Sequence, residues 1–217
     1  MYGSAEAVVG DLWAQVRQPP MFSATKIWTL GRGAGIAQVE RSMKLWGVER
    51  LDLVQVHNLL DWRTHLATLD AMKREGRIRY VGVTTSHGSR HEELERIVRE
   101  RRLDFVQFTY SIADRDAEAR LLPLARDRGI AVIANRPFDG GHLFARVGGK
   151  PLPGWAREID CANWAQAFLK FIVAHPAVTC AIPATSNPAH LAENMGALAG
   201  ALPDEKLRAR IVRDAGY

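Results

Sequence analysis

The chain has little cysteine: Cys161 and Cys180 are the two it carries in 217 residues. That is too few for a disulfide framework, and both read as buried thiols of a reducing compartment. No run of about 18 apolar residues occurs, which excludes a transmembrane helix. The stretch Met1-Tyr2-Gly3-Ser4-Ala5-Glu6 lacks the basic and apolar regions of a secretory leader, so the expected localisation is cytoplasmic. Gly (18) and Pro (10) have no period, which excludes collagen-like and low-complexity classes. There is no uniform basic stripe, because basic residues alternate with acids, as in Glu92-Glu93-Leu94-Glu95-Arg96. A nucleic-acid partner is therefore not expected. The net charge of +5 suits an anionic ligand such as a phosphorylated cofactor.

Familiar catalytic motifs are also missing. No G-x-S-x-G elbow, Walker loop or C-x-x-C occurs. His87 and His91 have the i, i+4 spacing that could put two imidazoles on one helix face, but no H-E-x-x-H pattern or third ligand accompanies them. No metal site is expected. Gly31-Arg32-Gly33-Ala34-Gly35 follows a strand-like run and precedes a helical one. Ile36 occupies the third glycine position of the dinucleotide fingerprint, so the segment reads as a connection instead.

What is present is a globular composition, 47% hydrophobic and 24% charged. Strand-like and helix-period segments alternate throughout. Met21 to Ile27, Leu51 to Val56, Ile78 to Val83, Leu103 to Phe108, Ile130 to Ala134 and Val178 to Ile182 read as strands. Helical stripes lie between them: Ala5, Val8, Val9, Leu12, Trp13 and Val16 open the chain, and Ile36, Val39, Met43 and Trp46 are closed by Gly47. Arg136 to Asp160 reads as a long loop. Pro188 opens a helix as a first-turn proline. Strict alternation without a linker predicts one parallel α/β domain over residues 1–217, either an open sheet or a closed barrel.

In such folds chemistry sits at the carboxyl ends of strands. Those ends carry Thr25-Lys26-Ile27, Gln55-Val56-His57-Asn58, Thr84-Thr85-Ser86, Gln107-Phe108-Thr109-Tyr110-Ser111, Asn135-Arg136-Pro137-Phe138 and Ala184-Thr185-Ser186. A Lys and a His at successive ends could share a pocket, Lys26 as positive charge and His57 as hydrogen-bond donor or proton relay. Trp62 and Trp155 are candidate pocket walls, with core packing as the more ordinary reading.

Several stretches, in order, are similar to the aldo-keto reductases. They are Tyr2-Gly3-Ser4-Ala5-Glu6, Ala24-Thr25-Lys26-Ile27-Trp28, Leu51-Asp52-Leu53-Val54-Gln55-Val56-His57 and Gly76-Arg77-Ile78-Arg79-Tyr80-Val81-Gly82-Val83. Gln107 with Tyr110-Ser111, Arg136-Pro137-Phe138, and Ile182-Pro183 with Glu193-Asn194 complete the set. The resemblance implies an α/β fold, the (β/α)8 TIM barrel of that family, and hydride transfer between NADP(H) and a small aldehyde or ketone. NAD(H) is the alternative cofactor. Tyr2 matches the general acid, Lys26 the lysine that lowers its pKa, and His57 the histidine that orients the carbonyl. A nearby ammonium favours phenolate and so shifts a phenol toward neutrality.

The resemblance also assigns cofactor contacts. Gln107 matches the glutamine on the nicotinamide amide, and Thr84 and Thr85 stand where the family has Ser-Asn. Asn135 stands at an aromatic stacking position, beside Arg136 and Pro137. Glu193 and Asn194 match an adenine-binding pair, near Thr185. Ala184 and His190 replace the Lys and Arg that read a 2′-phosphate in many members, so a weak preference for NADP(H) is expected, with Arg136 as the alternative reader. The family's catalytic Asp and first two strands precede the matched tyrosine, and Met1 stands one residue before Tyr2. The expectation is a truncated barrel, incomplete at its N-terminus, that self-associates through open sheet edges. Two other readings compete: a non-catalytic binding or regulatory protein on the same fold, and another α/β enzyme that takes a phosphorylated metabolite.

Overall fold

The structure, a computed structural model, describes residues 3–16 and 21–217. Its residues form two compact units. The first comprises Met1–Thr85 with Glu100–Val106, and the second Ser86–Arg99 with Gln107–Tyr217.

The first unit runs α1 (Ala5–Val16), β1 (Ala24–Ile27), α2 (Arg32–Trp46), β2 (Leu51–Val56), α3 (Trp62–Arg74) and β3 (Ile78–Thr84). The strands pair in chain order and in parallel, Lys26 with Gln55 and Gln55 with Gly82. Leu51, Leu53, Val54 and Val56 are all buried. Apolar burial on both faces is the mark of a parallel strand covered on each side. The expected strand from Met21 is shorter and begins at Ala24. Gly47 ends α2 at φ 63°, where its N–H reaches back to Lys44.

The apolar stripe read on α1 is helical, yet Val8, Leu12 and Val16 are exposed. The buried residue of α1 is Gly10. A Cβ there would stand 1.9 Å from the Leu45 carbonyl oxygen, so close approach to α2 fixes which face of α1 is covered. The Glu6 carboxylate accepts from Thr25 Oγ1 at 2.7 Å and Ser42 Oγ at 2.8 Å.

The second unit contains most of α4 (His91–Glu100), then α5 (Leu121–Asp127), β5 (Ala131–Asn135), α6 (His142–Val147), α7 (Trp164–Val173), β6 (Cys180–Ala181), α8 (Pro188–Met195) and α9 (Glu205–Ala215). Strand β4 (Phe105–Thr109) gives its first two residues to the first unit and the rest to the second. The order in the second unit is again that of the chain, β4-β5-β6. Strand β6 is shorter than the expected Val178 to Ile182, although the ladder continues beyond it: Thr179 N–H donates to Val132 O and Ile182 N–H to Ala134 O.

The segment expected as a long loop is largely ordered into helix. Gly141 at φ 99° and Gly148 at φ 54° bracket α6, and a 3-10 turn spans Gly154–Ile159. Leu143, Val147, Trp155 and Ile159 from this segment are buried. Their burial supplies what six-residue helices lack on their own. The expected first-turn proline is found: Asn187 caps α8 by accepting from Ala189 N–H, with Pro188 next.

Candidate active site

The first unit carries the candidate chemistry of Lys26 and His57. Ile27 is fully buried, and its side chain lies against Gly35 of α2. Alternation along the strand then turns Lys26 to the opposite face, beside Gln55. Burial lowers the Lys26 pKa. His57 follows β2 directly, and its pKa is lowered by burial first and by the Lys26 charge second. A half-buried cation that favours the neutral imidazole is what a carbonyl-orienting histidine needs. The Trp28 ring stands 5.6 Å from the His57 ring at 53°.

The loops around the pair are pinned. Asn58 N–H donates to Thr84 Oγ1 at 3.1 Å, joining the ends of β2 and β3. Gly31 N–H donates to Asp61 Oδ2 at 2.8 Å, and the buried His65 ring bonds Thr29 O at 2.7 Å. These contacts join the segment after β1 to the segment after β2. Asn58, Leu59 and Asp61 hold φ of 50°, 55° and 48°. Non-glycine residues in that region cost energy and cluster where function demands a fixed shape. Thr84 and Thr85 are both buried at the end of β3. Tyr2 lies outside the described residues.

The second unit carries most of the candidate cofactor contacts. Gln107 is buried on β4, and Asn135 is buried at the end of β5. His87 N–H donates to Thr109 Oγ1 at 2.8 Å, and that hydroxyl donates to Asn135 Oδ1 at 2.9 Å. Arg136, at φ 52°, donates to His87 Nε2 at 2.8 Å and to Asp139 Oδ1 at 3.2 Å. Pro137 is buried beside it. Thr185 is exposed, and its hydroxyl accepts from Asn187 N–H at 3.1 Å. His190 and Glu193 are exposed on α8, whereas Asn194 is buried. The Glu193 carbonyl accepts from Gln166 at 2.8 Å, so its main chain ties α8 to α7.

His87 with His91 and the two cysteines differ from their sequence reading, whereas Trp62 and Trp155 follow the more ordinary one. His87 precedes α4, which starts at His91, so the two imidazoles do not share a helix face. Trp62 and Trp155 are core residues; the Trp155 indole donates to Asp214 at 2.8 Å and stands edge-on to Trp164. Cys161 and Cys180 are half-buried free thiols whose pKa burial raises. Gln55 was legible only as an amide amid an apolar strand, yet it is 1% exposed beside Lys26.

Parallel strands with polar groups at their carboxyl ends define an α/β enzyme-like scaffold. The profile of the Aldo/keto reductase family matches residues 1–210. The chain belongs to that family. Its fold is α/β of the (β/α)8 type, with six strands described.

Among curated relatives, an NADH-specific methylglyoxal reductase of Escherichia coli is 30% identical over 55% of this chain and 38% of its own length. The uncharacterized oxidoreductase YrpG of Bacillus subtilis is 28% identical over 69% of this chain and 52% of its own length. The chain thus spans about half or less of these two relatives. A thermostable aldo-keto reductase, Tm1743, matches in structure with a TM-score of 0.79 at 24% identity, over 98% of this chain and 78% of that one. The holo form of aldo-keto reductase AKR11C1 from Bacillus halodurans matches with a TM-score of 0.78 at 20% identity, over 96% and 76%. Both structural matches are likenesses of fold.

Proposed function

We propose that the chain serves NAD(P)H-dependent reduction of a small aldehyde or ketone. The observation that carries this reading is the Lys26–His57 pair: a desolvated cation at the end of β1 acts on a desolvated imidazole at the end of β2. The donor set fits a nicotinamide dinucleotide in kind. Gln107 and Asn135 are buried amides suited to a carboxamide, Arg136 is a cation suited to phosphate, and Glu193 and Asn194 suit adenine. When bound, that cofactor supplies hydride to the carbonyl carbon.

The chain's own residues would manage the proton and the oxygen. His57 donates a hydrogen bond to the carbonyl oxygen and orients it. Tyr2 is the proposed general acid that protonates that oxygen. Lys26 favours the phenolate left behind and so lowers the phenol's pKa. Reduced nicotinamides and free thiols are at home in the cytoplasm, the proposed setting.

The preference between NADPH and NADH is weak in this reading. Ala184 and His190 offer no Lys or Arg for a 2′-phosphate, and Asp139 and His87 already engage Arg136. The relative named NADH-specific is consistent with that. The test is a fluorescence titration of the 217-residue chain with NADPH and NADH, followed by turnover of methylglyoxal. The expected result is saturable binding of both, within about tenfold of each other, and turnover abolished by Lys26→Met and Tyr2→Phe. A folded chain that binds neither cofactor would overturn the reading.

A further inference from the structure

Helix α8 is thinly held. Of its eight residues, Pro188–Met195, the one buried is Asn194. A helix this short has little stability of its own and lies where its contacts put it. Apolar burial therefore does little to place α8, and a polar contact from α7 of the same unit does more. Gln166 of α7 is 7% exposed, and its Nε2–H donates to Glu193 O at 2.8 Å. That carbonyl belongs to the last turn of α8, whose oxygens lack regular intrahelical partners.

The other end of the same amide serves α7. Gln166 Oε1 accepts from Ala162 N–H at 2.7 Å, and Gln166 N–H donates to Asn163 Oδ1 at 3.0 Å, the cap of α7. Capping of this kind asks only for the side-chain oxygen, and glutamate serves it as well as glutamine. The bond to α8 is additional and needs the amide N–H. Space is left for it. A Cβ on Gly196, which follows α8, would stand 2.3 Å from Gln166 Nε2. Gly196 has φ −59° and ψ −20°, a conformation open to any residue, so room for the amide and not the backbone accounts for a glycine there. One turn further along α7, Lys170 donates to Ala199 O and Ala201 O. The face of α7 that bears residues 166 and 170 thus grips the chain from the last turn of α8 onward.

We propose that Gln166 is a positioning residue for the adenine half of the cofactor: by holding the Glu193 main chain it sets where Glu193 and Asn194 stand. The proposal rests on the reading of those two residues as the adenine pair. Gln107 and Asn135, the residues suited to the carboxamide, are carried by β4 and β5 and do not depend on this bond. Its loss therefore weakens one half of a dinucleotide and spares the other.

The test titrates the full chain with the two halves of the cofactor separately: ADP-ribose, which carries the adenine, and reduced nicotinamide mononucleotide, which does not. Gln166→Glu keeps the oxygen that Ala162 needs and removes the donor to Glu193. It is expected to raise the Kd for ADP-ribose and the KM for NADH about tenfold, while kcat and the Kd for the mononucleotide stay within about twofold. Gly196→Ala displaces the amide from the opposite side. It is expected to do the same, and it gives the reading should the glutamate variant fail to fold. Amide hydrogen exchange without ligand is expected to quicken about tenfold over residues 192–198 in both variants and to stay unchanged in β5. ADP-ribose affinity within about twofold of the parent in both variants would reduce Gln166 to a cap of α7 and overturn the proposal. An equal loss for both probes, the sign of general destabilisation, would overturn it as well. A parent chain that binds no ADP-ribose defeats the reading of Glu193 and Asn194 together with this proposal, whereas a parent that binds it no better than the variants defeats this proposal alone.

Discussion

The buried Tyr110 hydroxyl donates to Glu118 Oε1 at 2.5 Å, and Arg208 of α9 reaches both, at 2.5 Å and 2.8 Å. The phenol pKa is raised well above its ordinary value, first by burial and next by the bond to Glu118. Folded Tyr110 therefore stays neutral where an unfolded tyrosine ionises, near pH 10. The stability it contributes is complete below that pH and is lost as pH rises above it. Urea unfolding from about pH 9 to 11 should show a falling midpoint that Tyr110→Phe flattens. At neutral pH the same variant should cost about 1–3 kcal/mol, because Glu118 and Arg208 each lose a partner.

The Lys26 charge is the second cause of the lowered His57 pKa, and burial is the first. Lys26→Met should raise the His57 protonation pH without restoring it to an exposed value, since burial persists. Because the folded imidazole favours its neutral form, its stability contribution is present above pH about 6.5 and fades as pH falls through the folded pKa. Ring-proton NMR of both chains between about pH 4 and 8 reads the shift. An identical titration in the two chains would mean that the lysine charge does not reach the ring.

These two sites differ in how openly the sequence displays them. Lys26 and His57 stand out because a cation and an imidazole terminate apolar runs, and strand ends are where parallel α/β chemistry collects. Arg208 and Tyr110 are 98 residues apart, and nothing in either segment names the other. The helix His142–Val147 was hidden for another reason: six residues hold too few turns to show a period. Strand order was not legible, because alternation suits an open sheet and a closed barrel alike, but the existence of the strands was. Their ends were not, because the flanking residues of β1 and β6 are as apolar as the strands themselves.

Lys170 is a residue whose place no pattern in the sequence marks. It lies on α7 among Trp164, Phe168 and Phe171, where a lysine reads as a solvated interruption. It is instead fully buried, and its ammonium donates to the carbonyls of Ile159, Ala199 (2.5 Å) and Ala201 (2.9 Å). One charge thus ties α7 to two segments. Lys170→Met leaves three carbonyls without their donor, that of Ile159 in a buried contact, and should cost about 3 kcal/mol or more in urea unfolding. The exposed Lys206→Met should stay within about 0.5 kcal/mol of the parent. A loss no larger for Lys170 than for Lys206 would mean the carbonyls find water.

Among the described residues, β1 is paired on one side, by β2, and Met21, Phe22, Trp28 and Leu30 around it are exposed. The exposed Val8, Leu12 and Val16 of α1 add apolar surface in the same unit. A strand edge with apolar flanks recruits another strand. The 217-residue chain is expected to self-associate in sedimentation velocity, with larger species growing as concentration rises. A single monomeric boundary across a tenfold concentration range, about micromolar to tens of micromolar, would contradict this.

Gly35 tests the frame beneath the candidate pair. A Cβ at this position of α2 would lie 2.7 Å from two atoms of the His65 ring, and that ring is fully buried and bonded to Thr29 O. Alanine in place of glycine inside a helix would otherwise stabilise by about 0.8–1 kcal/mol. The sign of the measured change therefore separates the two effects. Gly35→Ala should destabilise by about 1–3 kcal/mol, because a ring enclosed on all sides has nowhere to move. His65→Ala opens the space and loses the Thr29 bond. The double variant should then be more stable than the sum of the singles predicts, by about 1 kcal/mol or more. If Gly35→Ala stabilised the chain, the ring would have to yield freely. Thr29 would then be held by something other than His65, and the segment carrying Trp28 would not be fixed from this side.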